Sequence, residues 1–302
     1  MKNFFLTSLT FLFISCSSEQ KSISIEGVWE WTQTINYKNN IPQDTVPRFT
    51  FKGKKVGGKF LKFFVDNHLI WIGRRNAGDS TAKGNVDKGG ALLAKYSLKN
   101  DTLTEFLYRG TDGTNNFIKK NGGIGSKYVA KINMIDENTF IQRKTESPDA
   151  RGEIWVRVSS GDDKFNLNGA YTASGKHYFY KNNILSDSTI YSQENQTTFG
   201  DRLFVSDYEV LLYNRVNLDS DGKDRFPGVA YVAKLDKIND SIFSENYIVN
   251  TSNQDKNLSR RIRQNKHIRM FKRRNNNMIV THPESNLDSG NLRIVYFNKL
   301  NK

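Results

Sequence analysis

The side chains that could carry chemistry in this 302-residue chain fall into three groups: four histidines, one oxygen-rich turn and one basic stretch. His68, His177, His267 and His282 are scattered, with no second ligand at metal-binding spacing. They read as exposed or loop histidines, and no acid, base, nucleophile and stabiliser set is nominated around them. The segment Asn217-Leu218-Asp219-Ser220-Asp221-Gly222 alternates oxygen-bearing side chains and then supplies a glycine. That is the donor order of the first half of a calcium loop, so Asn217, Asp219 and Asp221 are candidate Ca2+ ligands. Gly228 stands where the bidentate Glu of such a loop belongs, and a solvated hairpin turn explains the same residues. Between Lys256 and Arg274 nine residues are basic and none is acidic. Arg260, Arg261, Arg263, Lys266, Arg269, Lys272, Arg273 and Arg274 are therefore a candidate surface for an anionic partner, with a solvated strand face as the plain alternative. No catalytic residue and no organic cofactor emerges, so the chain is expected not to be an enzyme.

Composition sets the frame for those groups. Hydrophobic residues make up 37% and aromatics 12%, enough for ordinary packed cores. A mean hydropathy of -0.63 argues against a bundle of membrane-spanning helices. The single cysteine excludes a disulfide scaffold and a Cys-based zinc site. With 45 Lys and Arg against 31 Asp and Glu, the chain is basic.

The cysteine's position gives an address. Met1-Lys2-Asn3 precedes an apolar run from Phe4 to Ile14, and Ser15-Cys16-Ser17-Ser18-Glu19 follows. A positive start before a short apolar run is the form of a secretion signal. The run is too short for a spanning helix, which needs roughly 20 apolar residues. Phe13-Ile14-Ser15-Cys16 resembles the lipobox of bacterial lipoproteins, with Phe13 where Leu is usual. The resemblance implies cleavage before Cys16 and acylation there by chains such as palmitate, which would anchor the chain stably in a membrane. Ser17 in place of Asp implies the outer membrane. Nucleic acid is then not an expected partner. Residues 1–15 are read as the signal peptide and 16–25 as a tether.

The elements that would position any site are strands. Short runs of Val, Ile, Phe, Tyr and Thr recur, bounded by Gly, Asn and Asp, as in Leu69-Ile70-Trp71-Ile72 and Val210-Leu211-Leu212-Tyr213. Asn100-Asp101, Asn239-Asp240 and Asp136-Glu137-Asn138 are the turns between them. The chain also repeats itself. Tyr37-Lys38-Asn39-Asn40-Ile41 recurs as Tyr180-Lys181-Asn182-Asn183-Ile184. Gly27-Val28-Trp29 finds Gly169-Ala170-Tyr171, and Phe64-Val65 with Arg75 finds Phe204-Val205 with Arg215. Ala94-Lys95 and Asn100-Asp101-Thr102-Leu103 find Ala233-Lys234 and Asn239-Asp240-Ser241-Ile242. Matches in one order at a nearly constant offset indicate a tandem duplication, with copies at 26–160 and 161–302 joined in Ser159-Ser160-Gly161-Asp162-Asp163-Lys164. Each copy holds about eight strand candidates, and an antiparallel meander of that length removes its edges by closing into a barrel. A flat sandwich is the competing arrangement. The fold class is all-β, two tandem barrels.

Glu26-Gly27-Val28-Trp29-Glu30-Trp31 resembles the Gly-x-Trp opening of lipocalins and the lipocalin-like lipoproteins of Bacteroidota. The resemblance implies that Trp29 closes the barrel base with an Arg of the last strand across it, and Arg157 is the residue available. In the second copy Gly169 and Tyr171 take the places of Gly27 and Trp29, and Leu292-Arg293-Ile294-Val295-Tyr296 has no Arg at the aligned place. The resemblance also implies a small apolar or amphipathic, lipophilic ligand in the barrel, with Trp31, Trp71 and Tyr213 as candidate lining residues. Loops at about Asn76 to Gly89 and Asn217 to Gly228 would guard its mouth. The alternative is a ligand-free interaction subunit that docks on an outer-membrane complex, lipopolysaccharide or an anionic glycan through the basic stretch.

Overall fold

The computed structural model describes residues 24–48, 50–51, 54–55, 58–75, 89–111, 114, 117, 122–123, 125–190, 199–214, 229–251, 267–283 and 291–301. The first copy supplies β1 (Gly27–Lys38), β2 (Ile41–Pro47), β3 (Thr50–Phe51), β4 (Lys54–Lys55), β5 (Gly58–Val65), β6 (His68–Arg75), β7 (Gly90–Lys99), β8 (Thr102–Gly110), β9 (Lys127–Asp136), β10 (Thr139–Lys144) and β11 (Gly152–Ser160). The second supplies β12 (Gly169–Lys181), β13 (Ile184–Ile190), β14 (Phe199–Val205), β15 (Tyr208–Asn214), β16 (Val229–Lys237), β17 (Ile242–Asn250), β18 (His267–Arg274), β19 (Asn277–Pro283) and β20 (Leu292–Lys299).

Strands β5 to β11 pair in sequence order, and β1 joins β5 on one side and β11 on the other. The result is a closed eight-strand antiparallel ring. Strand β12 closes β14 to β20 in the same way. In both copies the long first strand serves two neighbours along one edge. Gly27 to Glu30 pair with β5 while Gln33 to Lys38 form a hairpin with β2. Gly169 to Thr172 pair with β14 while Lys176 to Lys181 pair with β13.

The repeated sequence explains the repeated hairpin. Asn39 and Asn40 have φ of 51° and 65°, and Asn182 and Asn183 have 50° and 64°. Two central residues at positive φ match the right-handed strand twist, and Asn tolerates that region better than other side chains. The duplication extends to irregularities. A register shift falls between Asn36 and Tyr37 and again between Phe179 and Tyr180. Another falls between Leu93 and Ala94 and again between Val232 and Ala233. The Thr111 hydroxyl accepts from Ala91 N–H as the Thr251 hydroxyl accepts from Ala230 N–H.

Strand alternation sorts the side chains into three cores. One lies inside the first barrel, around Trp29, Phe64, Leu92, Leu103, Phe140 and Trp155. A second lies inside the other barrel, around Tyr171, Phe204, Phe243, Phe271 and Phe297. The third lies between the barrels, where the outer faces of β5, β6 and β7 meet those of β14, β15 and β16. Phe63, Val65, Ile70, Ile72 and Leu93 come from the first copy, and Leu203, Val205, Val210, Leu212 and Val232 come from the second. Each copy thus offers the same face to the seam. Arg109 Nη1 donates to Asp201 Oδ2 across it at 2.7 Å, and Lys299 Nζ lies 2.8 Å from Asp66 Oδ2 at its edge. Burial raises the Asp201 carboxyl above the usual range, and Arg109 opposes that rise.

Candidate ligand-binding site

The floor of the first barrel is the Gly-x-Trp motif. Gly27 holds φ at 127°, and an added Cβ would lie 2.6 Å from Ser159 O. That close approach lets Trp29 turn inward, where it is fully buried and its Nε1 donates to Ile25 O at 2.8 Å. Ile25, read as the end of the tether, is itself buried. The Arg157 guanidinium sits 4.1 Å from the Trp29 ring centroid and donates to Glu26 O and Glu137 O. In the second barrel Tyr171 is buried in the Trp29 place, and its hydroxyl donates to Leu167 O at 3.3 Å. Lys299 stands in register with Tyr171 as Arg157 does with Trp29, and reaches Asp66 of the first copy instead of covering the ring.

Above the Trp29 floor the first barrel holds a cavity of about 250 Å³. Its walls are Trp31, Phe60, Trp71, Phe117, Tyr128 and Trp155, which come from β1, β5, β6, β9, β11 and the segment after β8. Trp31 and Phe60, at 5.4 Å between centroids, and Trp71 and Phe117, at 5.7 Å, pack edge to face, and Phe60 stacks on Trp71 at 5.3 Å. Phe60 lies across Gly73, where an added Cβ would meet its ring at 2.1 Å. A glycine opposite an aromatic therefore sets the Phe60 orientation. The second copy writes the pair in reverse, with Gly200 opposite Tyr213.

Polar groups line the remaining surface. Lys62 Nζ donates to Glu105 Oε1 at 2.6 Å and to Gln142 Oε1 at 2.7 Å, all three buried. Glu153 faces the same space, and Trp155 Nε1 donates to its Oε2 at 3.1 Å. Burial pushes the Glu153 carboxyl pKa up, and Lys62 opposes the shift. The Arg48 guanidinium caps this wall, 3.9 Å from the Trp31 ring and 5.5 Å from Phe60. The arrangement can hold a small molecule by its flat or cationic part against rings, and by hydrogen bonds at the polar end.

Of the sequence-predicted lining residues, Trp31 and Trp71 meet in this cavity. Tyr213 lies on β15, and its side chain is outside the described residues. Phe60, Lys62, Glu105, Gln142, Glu153 and Trp155 were not anticipated. A signal for one of them was present in the repeat, where Lys62 aligns with Arg202 on a strand otherwise rich in apolar residues. Strand pairing, with Glu105 opposite Tyr96 and Glu245 opposite Leu235, brings the two glutamates to one place.

Two readings need correction. His68 and His177 are not exposed: they are 1% and 3% accessible, on β6 and β12. His68 Nδ1 lies 2.9 Å from Asp66 O, and burial lowers its pKa. Arg293 Nη2 donates to His177 Nδ1 at 2.7 Å, and burial, then Arg293, lowers that pKa to about 4. Arg269 does not belong to a basic face. It is 5% exposed, shares the inner face of β18 with Phe271, and lies 3.5 Å from Glu245. Lys272 and Arg274 are exposed, and Arg273 lies 3.6 Å from Asp163. Arg260, Arg261, Arg263 and Lys266 lie outside the described residues, as do Cys16 and the calcium candidates Asn217, Asp219 and Asp221. Most of the two expected mouth loops also lies outside them. Among the described residues no group of three His, Cys, Asp or Glu side chains is placed to hold a metal ion.

No family model and no curated protein matches the chain. Among solved structures it is similar to a lipocalin-like protein from Bacteroides uniformis, at 13% identity and a TM-score of 0.28, over 44% of this chain and 96% of that one. It is also similar to a suspected outer membrane protein from Bacteroides fragilis, at 11% identity and a TM-score of 0.25, over 91% and 98% of the two chains. Transferrin Binding Protein B from Haemophilus parasuis, as a double mutant, gives 9% identity and a TM-score of 0.24 over 91% and 76%. These scores are low, and the fold rests on the strand pairing itself. Eight-strand meanders closed by the first strand, with a Gly-x-aromatic floor in each copy, make this chain a tandem of two antiparallel β-barrels whose layout resembles that of lipocalins.

Proposed function

We propose that the chain is an outer-membrane lipoprotein, anchored through Cys16 and without enzymatic activity, whose first barrel carries a small amphipathic ligand. The observation that supports this most is the cavity of about 250 Å³, walled by six aromatic rings and provided with a buried Lys62–Glu105–Gln142 network and Glu153. Its volume is just below the roughly 300–1,000 Å³ usual for ligand pockets, so the ligand is smaller than a typical lipid. The signal-like start and lone Cys16 support the address. The docking alternative has less behind it, because Arg269 is turned inward and Arg273 is engaged with Asp163.

Native mass spectrometry of the protein, extracted gently from its own membrane, tests the carrier reading. The expected result is a reproducible small adduct that denaturation releases and that Trp71→Ala loses. An adduct kept at equal occupancy in Trp71→Ala, or no adduct on the unaltered chain, overturns it.

A further inference from the structure

We infer that the ligand of the first barrel is an organic cation, held by its ammonium or guanidinium group between the ring faces and the Glu153 carboxylate. This rests on the carrier reading above and names the chemistry of the ligand.

The walls are the first reason. Every apolar side chain that lines the cavity is aromatic. A fatty chain needs aliphatic surroundings no more than aromatic ones, but a cation gains from a ring face what it cannot gain from Leu or Val. The rings already receive cations from the protein itself. Arg48 stands 3.9 Å over Trp31, and Lys62 stands 5.0 Å over Trp155.

Charge balance is the second reason. Lys62 is neutralised locally by Glu105 and hydrogen-bonded to Gln142. Glu153 has no cation in contact: among the described residues its carboxylate accepts one side-chain hydrogen bond, from Trp155 Nε1, while Lys62 and Arg48 act on it only through space. A half-buried carboxylate that faces a cavity without a contacting cation gains from one, and a bound cation would supply that contact.

The groups that face Glu153 define the pH behaviour. They are Lys62 from β5, Glu105 from β8, Tyr128 from β9, Gln142 from β10, Trp155 from its own strand, and Arg48 after β2. Protonation of Glu153 removes the attraction, so the affinity for a cation falls as pH is lowered and Glu153 takes up its proton.

Isothermal titration of the full-length protein with benzylamine and with benzyl alcohol, its uncharged counterpart of similar size, separates the possibilities. Benzylamine is expected to bind at least about tenfold more tightly, a difference of about 1.4 kcal/mol. Glu153→Gln should abolish that preference and its pH dependence while leaving the alcohol's affinity unchanged. Comparing benzylamine with dodecylamine then distinguishes a free cation from a head group carried on a chain. Equal binding of amine and alcohol overturns the cation inference and leaves the pocket standing. Binding of neither, nor of indole, overturns the pocket reading as well.

Discussion

At the level where Lys62 meets Glu105 in the first barrel, the second carries Arg202 and Glu245, and the surroundings of the two sites diverge. In the first, Trp31, Phe60, Trp71 and Trp155 wall a cavity that Lys62, Glu105 and Glu153 also line. Their counterparts in the second are Ala173, Gly200, Leu211 and Phe297. That interior places Arg202 against Glu209, adds Arg269 beside Glu245, and directs the Tyr247 hydroxyl to Glu245 at 2.8 Å. Arg202 also lies 5.1 Å from the Phe297 ring. One frame with a basic and an acidic residue at shared positions thus supports an aromatic-walled cavity in one copy and a denser set of internal charge pairs in the other. A lipocalin-like barrel does not dictate an apolar interior. Charge is accommodated there as long as each group meets a partner in the ring.

Removing one carboxylate from each copy tests that difference most severely. Glu245→Ala leaves the buried Arg269 without its ion-pair partner and removes the carboxylate that accepts from the Tyr247 hydroxyl, and should cost about 3–5 kcal/mol. Glu105→Ala should cost roughly half as much, because Gln142 still accepts from Lys62 and the cavity admits water. Urea denaturation of the two variants measures both, and equal losses would remove the distinction between the interiors.

Acid sharpens the comparison next. The His177 pKa is about 4 in the folded chain against 6.5 for an ordinary histidine, so the unfolded chain binds the extra proton between those values. The His177 contribution is complete above pH 6.5 and is lost as pH falls toward 4, by at most about 3 kcal/mol. His177→Gln keeps an acceptor for Arg293 and should flatten the stability profile over that window. An unchanged slope in thermal melts between pH 7 and pH 4 would reject this account.

The smallest contrast lies at the bases. Arg157→Ala loses a cation over Trp29 and three carbonyl hydrogen bonds, about 1–2 kcal/mol. Lys299→Ala loses an ion pair at the seam edge, about 1 kcal/mol or less. Raising salt to molar levels should shrink the Lys299 effect and leave the Arg157 effect, which melting curves at two salt concentrations would show.

Much of the architecture was written in local chemistry. Asn100-Asp101 and Asn239-Asp240 read as turns between apolar runs, and the recurrence of Tyr37-Lys38-Asn39-Asn40-Ile41 as Tyr180-Lys181-Asn182-Asn183-Ile184 announced the duplication. The seam was not legible. Strands buried on both faces read as continuous apolar runs, as at Phe63 to Val65 and Val210 to Leu212, and such a run does not say what covers its outer side. The site was half legible for a related reason. Tryptophans on inward positions stood out, whereas Lys62, Glu153 and Arg269 were hidden by the habit of placing charge outside. Period-two alternation set Arg269 on the face of Phe271, and only pairing with Glu245 across two strands makes that tolerable.

The seam also governs the order of events during synthesis. The first barrel is complete as a chain at Ser160, while its covering strands end at Lys237. At about 5–20 residues per second, the interval is on the order of ten seconds. Throughout it the nascent first copy presents Phe63, Ile70, Ile72 and Leu93 with nothing folded against them. The two barrels are therefore born at unequal risk, and the one with the cavity is the one that must wait.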